Sequence, residues 1–154
     1  MRQRARSIFS TVAFVVTILV SAGTAQAGTV FQNDGAAIGG YDPVAYFTDG
    51  KPVIGQAAHT YQWDGATWRF ASAESKAQFA SAPEKYAPKY GGYCAWAVSQ
   101  GYTAKTDPDA WSIVNGALYL NYSVGVREKW AADPPGNITK GDKNWPGIKS
   151  KLTN

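Results

Sequence analysis

Two stretches of the chain alternate apolar and polar residues at a period of two, and a turn dipeptide interrupts each. In the first, His59-Thr60-Tyr61-Gln62-Trp63 and Ala66-Thr67-Trp68-Arg69-Phe70 flank Asp64-Gly65. Asp-Gly between alternating segments marks a two-residue hairpin loop, because both central positions take positive φ. The implied register sets Trp63 opposite Ala66, Tyr61 opposite Trp68 and His59 opposite Phe70. It places all six on one aromatic, core-facing side. This hairpin is expected over about 59–70. A second, over about 111–120, turns at Asn115-Gly116 and puts Trp111, Ile113, Leu118 and Leu120 on a shared face.

Between and after the hairpins the pattern becomes helical. Ser72 predicts an N-cap for a helix from 73 to about 81, and Pro83 suits the first position of another turn. Gly91-Gly92 breaks the chain before a short helix around 93–98, closed by Gly101. On it Tyr90, Cys94, Ala97 and Val98 would form a stripe facing the core. Ser123 opens a further helix through Val126 and Trp130 to about 132, ended by Pro134-Pro135. The C-terminal stretch with Lys140, Lys143, Lys149 and Lys151 reads as a solvated tail. No repeat, low-complexity run or long polar linker is evident over 28–154. Strand pairs interleaved with short helices and Gly/Pro loops predict a small single α+β domain.

The N-terminus changes the picture of charge and location. Arg2, Arg4 and Arg6 precede a mostly apolar run over 8–20, and Ala25-Gln26-Ala27 has the small residues that signal peptidase reads. Residues 1–27 are therefore expected to be a secretory signal peptide, with 28–154 as the exported domain and the periplasm as its location. The apolar run is short for a membrane span, so no membrane association is expected after cleavage. The whole chain carries 15 basic and 11 acidic residues. Losing three arginines leaves 12 − 11, or +1, which removes the case for a nucleic-acid partner.

Candidate chemistry is sparse. One Cys excludes an intramolecular disulfide framework and multi-cysteine zinc sites, and one His excludes paired-imidazole motifs. Cys94 could be a soft metal ligand, a nucleophile, half of an intermolecular disulfide, or a buried small hydrophobe. His59 is a core or rim histidine unless it converges with Cys94. Together a thiolate and an imidazole suit Cu(I) before Zn²⁺, since two ligands can hold Cu(I) whereas a closed zinc site wants four. They also suit a nucleophile–base pair. Asp107-Pro108-Asp109 reads as a turn. No catalytic or nucleotide-binding motif is present, so a non-catalytic protein is expected.

Several short motifs come in a distinctive order: Tyr41-Asp42-Pro43-Val44-Ala45-Tyr46-Phe47, Trp68-Arg69-Phe70, Phe79, Pro83-Glu84-Lys85-Tyr86, Tyr90-Gly91-Gly92-Tyr93-Cys94-Ala95, Leu118-Tyr119-Leu120-Asn121-Tyr122 and Asn144-Trp145-Pro146. In that order they resemble the exported, single-domain members of the YHS domain family. The resemblance implies a metal-associated unit. Shorter modules of the family carry a Cys after Asp-Pro-Val and a Cys pair in Phe-Cys-Ser-x-x-Cys. Here Ala45, Ala71 and Ser75 stand at those positions, so only Cys94 and His59 remain as soft ligands. The leading expectation is a metal-binding protein, copper before zinc, through Cys94 and His59. The alternative is a module that binds a small ligand, a periplasmic protein partner or a second copy, with exposed aromatics in a polar-rimmed patch away from Cys94. A thiol enzyme is the third reading.

Overall fold

Each turn dipeptide does what its chemistry demands. Asp64 and Gly65 sit at φ 49° and 73°, Asn115 and Gly116 at 52° and 75°. They close β3 (Gln56–Trp63) onto β4 (Ala66–Phe70) and β5 (Asp107–Val114) onto β6 (Ala117–Asn121). A third Asp-Gly turn, at Asp34-Gly35, closes the short β1 (Gln32–Asn33) onto β2 (Ala36–Ala37). The computed structural model describes residues 28–154, and the expected signal peptide lies outside them. The six α-helices are α1 (Ala45–Thr48), α2 (Ala73–Ser81), α3 (Pro83–Tyr86), α4 (Ala95–Ser99), α5 (Val124–Ala131) and α6 (Pro134–Leu152). With three two-stranded antiparallel sheets, the described residues form a small α+β domain. No helix among them is long and apolar enough to cross a membrane.

The second half of the domain repeats the first at a spacing of 51 residues. The hairpin Gln56–Phe70 recurs as Asp107–Asn121, and its ladder is broken at the same place. Gln56 pairs with Phe70 and Thr60 with Arg69, while Asp107 pairs with Asn121 and Trp111 with Leu120. The N-cap Ser72, which accepts from the Ser75 amide, recurs as Ser123 accepting from Val126. Phe79 and Trp130, both fully buried, recur at the same helix position, and Pro83 and Pro134 open the next helices. Upstream, where the spacing is 52, Ile38-Gly39-Gly40 (φ 45°, 69°, 81°) and Tyr90-Gly91-Gly92 (57°, 62°, 81°) make matching left-handed turns. Each leads to an extended Tyr, and the following amide bonds back across the unit: Asp42 to the Val53 carbonyl at 2.8 Å, Cys94 to that of Ala104 at 3.0 Å. The expectation of no repeat is thus corrected. The duplication lives in turns, caps and backbone bonds, while most side chains differ.

Two further expectations change. The three-residue bulge leaves Ala57, Ala58 and His59 unpaired, so Phe70 lies opposite Gln56 and not His59. The C-terminal lysines lie on α6, a 19-residue helix whose N1 proline is harmless because its amide would be unpaired anyway. Lys140, Lys143, Lys149 and Lys151 remain on its exposed side, so they are solvated but not a tail. Pro134-Pro135 end α5 as expected, and they also start α6.

β6 stands between two cores. Leu118 and Leu120 join Trp68, Phe70, Phe79, Val44 and Tyr46 on one side. Tyr119 joins Tyr90, Ala95, Val98 and Trp130 on the other, its ring 4.9 Å from that of Trp130. α6 covers the second core: Asn144 donates to the Val98 and Ser99 carbonyls at 3.0 and 3.1 Å, satisfying the C-terminal end of α4. The halves are tied together by the Tyr46 hydroxyl, which donates to the Pro108 carbonyl at 3.0 Å, and by the Tyr46–Trp111 ring contact at 5.4 Å.

Candidate functional site

Cys94 is 1% exposed and precedes α4 as its N-cap, at φ −55° and ψ 115°. Its sulfur accepts from the Ala97 amide at 3.5 Å and donates to Asn121 Oδ1 at 3.7 Å, and the Trp96 amide donates to the same oxygen at 3.0 Å. The expected helical stripe through Cys94 does not form, because the left-handed turn at Tyr90 places that ring outside α4. The repeat explains the site. In the first half Asp42 holds the place of Cys94. It too is 1% exposed, and it accepts from the Val44 amide (2.9 Å), the Ala71 amide (2.9 Å) and the Ser75 hydroxyl (2.6 Å). Both residues latch the left-handed turn and the following helix to the end of the hairpin. Asp42 does it with a carboxylate, and Cys94 with a thiol and the amide of Asn121.

His59 lies on the bulge of β3, partly exposed. Among the described residues its side chain makes no hydrogen bond or ring contact, and none joins it to Cys94, whose side-chain partners are Ala97 and Asn121. Among the described residues no group of three or more His, Cys, Asp and Glu side chains is placed to hold a metal ion. Ala45, Ala71 and Ser75 do converge. With Asp42, Thr48, Asp49, Ser72 and Glu74 they line a cavity of about 220 Å³ between α1 and the start of α2. Where the shorter modules would present thiols, this cavity presents methyl groups and hydroxyls.

A larger cleft lies on the seam between the two halves. It has a volume of about 660 Å³. The first half contributes Ile38, Gly39, Tyr41 and Ile54, the second Lys105, Thr106, Asp107, Pro108 and Tyr122, and the β1–β2 hairpin Phe31, Asn33 and Asp34. Two of the large apolar side chains that the surface exposes, Ile54 at 59% and Tyr122 at 47%, form its lips. Ile38 in its wall takes φ 45°, a conformation that costs a β-branched residue free energy. Cys94 is not among the lining residues. The lining mixes aromatic side chains (Phe31, Tyr41 and Tyr122) with polar ones.

Two buried tyrosines, one in each core, are strongly perturbed. Burial, reinforced by Tyr41, Asp109 and Asp107, holds the Tyr46 hydroxyl well above the ordinary phenol range. Burial, then the 2.9 Å hydrogen bond to Asp142 and its charge, does the same for Tyr90. Both are structural donors and not candidate bases. The residues that sequence reasoning missed are Asp42 as a latch and the Lys105–Asp107 segment as a cleft wall. The signal that could have found them is the recurrence of Gly-Gly-Tyr at 39–41 and 91–93.

A comparison with protein-family models matches the YHS domain at residues 44–90. No curated protein and no solved structure matches the chain. The matched segment runs from the start of α1 to the left-handed turn of the second half, so it spans most of the first repeat and the cavity at Ala45, Ala71 and Ser75. The likeness to the YHS domain thus covers residues 44–90, less than half of the chain.

Proposed function

We propose that the protein is an exported, non-catalytic binding module that takes a small ligand in the seam cleft. The observation that carries this is the cleft itself: about 660 Å³, lined by apolar side chains such as Ile38, Tyr41 and Pro108 together with charged and amide groups such as Lys105, Asp107 and Asn33. Those are the size and chemistry of small-molecule sites, which favour the junction of two structural units. The same lips, Ile54 and Tyr122, would serve a periplasmic protein partner or a second copy. A fragment screen of the protein by two-dimensional amide NMR tests the reading. Fragments should shift Tyr41, Thr106 and Tyr122, and Tyr122→Ala should abolish those shifts. A screen whose hits cluster elsewhere, or that gives none, rejects the cleft.

The metal association of YHS domains favours a second reading, in which Cys94 and His59 bind Cu(I), ahead of Zn²⁺. It would require the buried sulfur to leave Ala97 and Asn121, which restricts it to a partly opened state. Competition against a Cu(I) chelator, with Cys94→Ser and His59→Ala alongside, decides it. A one-to-one complex lost in both variants supports the reading. Equal, poor competition by all three proteins ends it.

A further inference from the structure

We infer that the seam cleft selects a short zwitterionic peptide with an apolar side chain; this rests on the reading of the cleft as the ligand site. The lining has three parts. Phe31, Ile38, Tyr41 and Pro108 offer apolar surface. Lys105 offers an ammonium, held over the Tyr122 ring at 5.6 Å from its centroid. Asp34 and Asp107 offer carboxylates. These charges do not satisfy one another, since among the described residues Lys105 forms no ion pair and its one partner is the Tyr122 ring. Asp34 accepts no hydrogen bond, and Asp107 spends one oxygen on the Asp109 amide at 2.9 Å. Both signs therefore line one cleft without pairing with each other.

The repeat gives the cleft a direction. Ile54 and Lys105 are the same position in the two halves, 51 residues apart, and both line the cleft. One lip is thus apolar where its counterpart is cationic. A ligand with one apolar group and one anionic end fits in a single orientation, and Asp34 and Asp107 then meet a cationic end. A peptide of two or three residues, roughly 7–10 Å long when extended, supplies both ends and the apolar group. Its carboxylate would engage Lys105, its ammonium the aspartates, and its side chain the Phe31–Tyr41 wall. Thr106 donates its hydroxyl to the Gly92 carbonyl, which leaves the oxygen lone pairs to accept from a peptide amide.

Calorimetry on the whole protein with Ala-Phe, its N-acetyl form and its C-terminal amide tests this. Ala-Phe should bind, and each capped form should bind at least about tenfold more weakly, the size of one lost charge-assisted contact. Lys105→Ala should remove the preference for Ala-Phe over its amide and leave the preference over the acetyl form. Asp107→Asn should weaken the preference over the acetyl form and spare that over the amide. Capped forms that bind as tightly as Ala-Phe overturn the inference, and so does a preference over the amide that survives Lys105→Ala. If no peptide binds while the fragment screen still shifts Tyr41 and Tyr122, the ligand class is wrong and the cleft reading stands. Silence in both experiments removes both.

Discussion

Replacing Cys94 separates a structural latch from a ligand. The sulfur is sealed at 1% exposure and caps α4 through a 3.5 Å contact to the Ala97 amide. Serine is a better cap than cysteine, because its oxygen is a stronger acceptor and its hydroxyl can donate to Asn121 Oδ1. That gain, about 1 kcal/mol for a good N-cap, offsets the loss of about 1 kcal/mol from exchanging buried sulfur for a hydroxyl. Cys94→Ser should therefore change stability by less than about 1 kcal/mol. Cys94→Ala loses the cap and opens a small void, for about 1–3 kcal/mol. Cys94→Val loses the cap and crowds Asn121, for about 2–4 kcal/mol. Urea unfolding followed by tryptophan fluorescence measures all three, and the midpoint shift at constant slope gives the difference. Thiol labelling gives an independent check. The native protein should react at least about a hundredfold more slowly than the denatured one, because the sulfur must wait for local opening. A serine variant that loses more than about 3 kcal/mol, or a native thiol labelled at the denatured rate, would refute the latch.

Three other substitutions and conditions probe the duplicated frame. Asp42→Ala strands three donors (the amides of Val44 and Ala71 and the Ser75 hydroxyl), two of them on backbone at the base of α1 and α2. At roughly 1.5–3 kcal/mol for each bond to a charged acceptor, the loss should exceed about 4 kcal/mol, read by thermal unfolding; a loss under 1 kcal/mol contradicts the assignment. Gly91→Ala places a Cβ against the Thr29 carbonyl at φ 62°, so soluble expression or cooperative unfolding should be lost, while Gly116→Ala, whose Cβ would meet open space, should cost only about 1 kcal/mol. For pH, Tyr46 and Tyr90 have folded pKa values raised above their unfolded values, so their contribution is complete below about pH 10 and is lost as pH climbs above it. Stability should then fall by about 2.7 kcal/mol per pH unit from these two. Absorbance at alkaline pH should show both, along with Tyr93 and Tyr119, which burial also raises, resisting ionisation until unfolding.

What the sequence made legible was local. Asp64-Gly65 and Asn115-Gly116 fix the hairpins because φ > 0 at two successive positions is a property of those residues. Ser72 and Ser123 fix helix starts because the cap is made within three residues. The register failed at His59 because alternation is blind to a bulge, and Ala57-Ala58 carry too little apolar contrast to signal one. α6 was missed because Gly136, Gly141, Pro146 and Gly147 give it poor intrinsic propensity. It is held by contacts distant in sequence: the Tyr90 hydroxyl on Asp142, Asn144 on the carbonyls of α4, and Trp145 against Tyr90 and Tyr93 at 5.9 and 6.3 Å.

The repeat was hidden for a related reason, and that reason bears on function. A duplicated unit must keep the residues that set backbone geometry, and this chain keeps Gly39-Gly40-Tyr41 and Gly91-Gly92-Tyr93, the turn glycines, Ser72 and Ser123, Pro83 and Pro134. Everything else is free to change provided the packing closes. Phe70 in the first core becomes Asn121 in the second, and the latch changes with it. Where Asp42 reaches out to the amide after β4, Asn121 reaches back from the end of β6 to Cys94 and Trp96. The thiol thus has a structural role in its pairing with Asn121. On the seam, Ile54 lines the cleft in one half and its counterpart Lys105 in the other. Neither contributes to a core. An asymmetry that stability does not require, placed around an open cleft, is where a binding function has room to act.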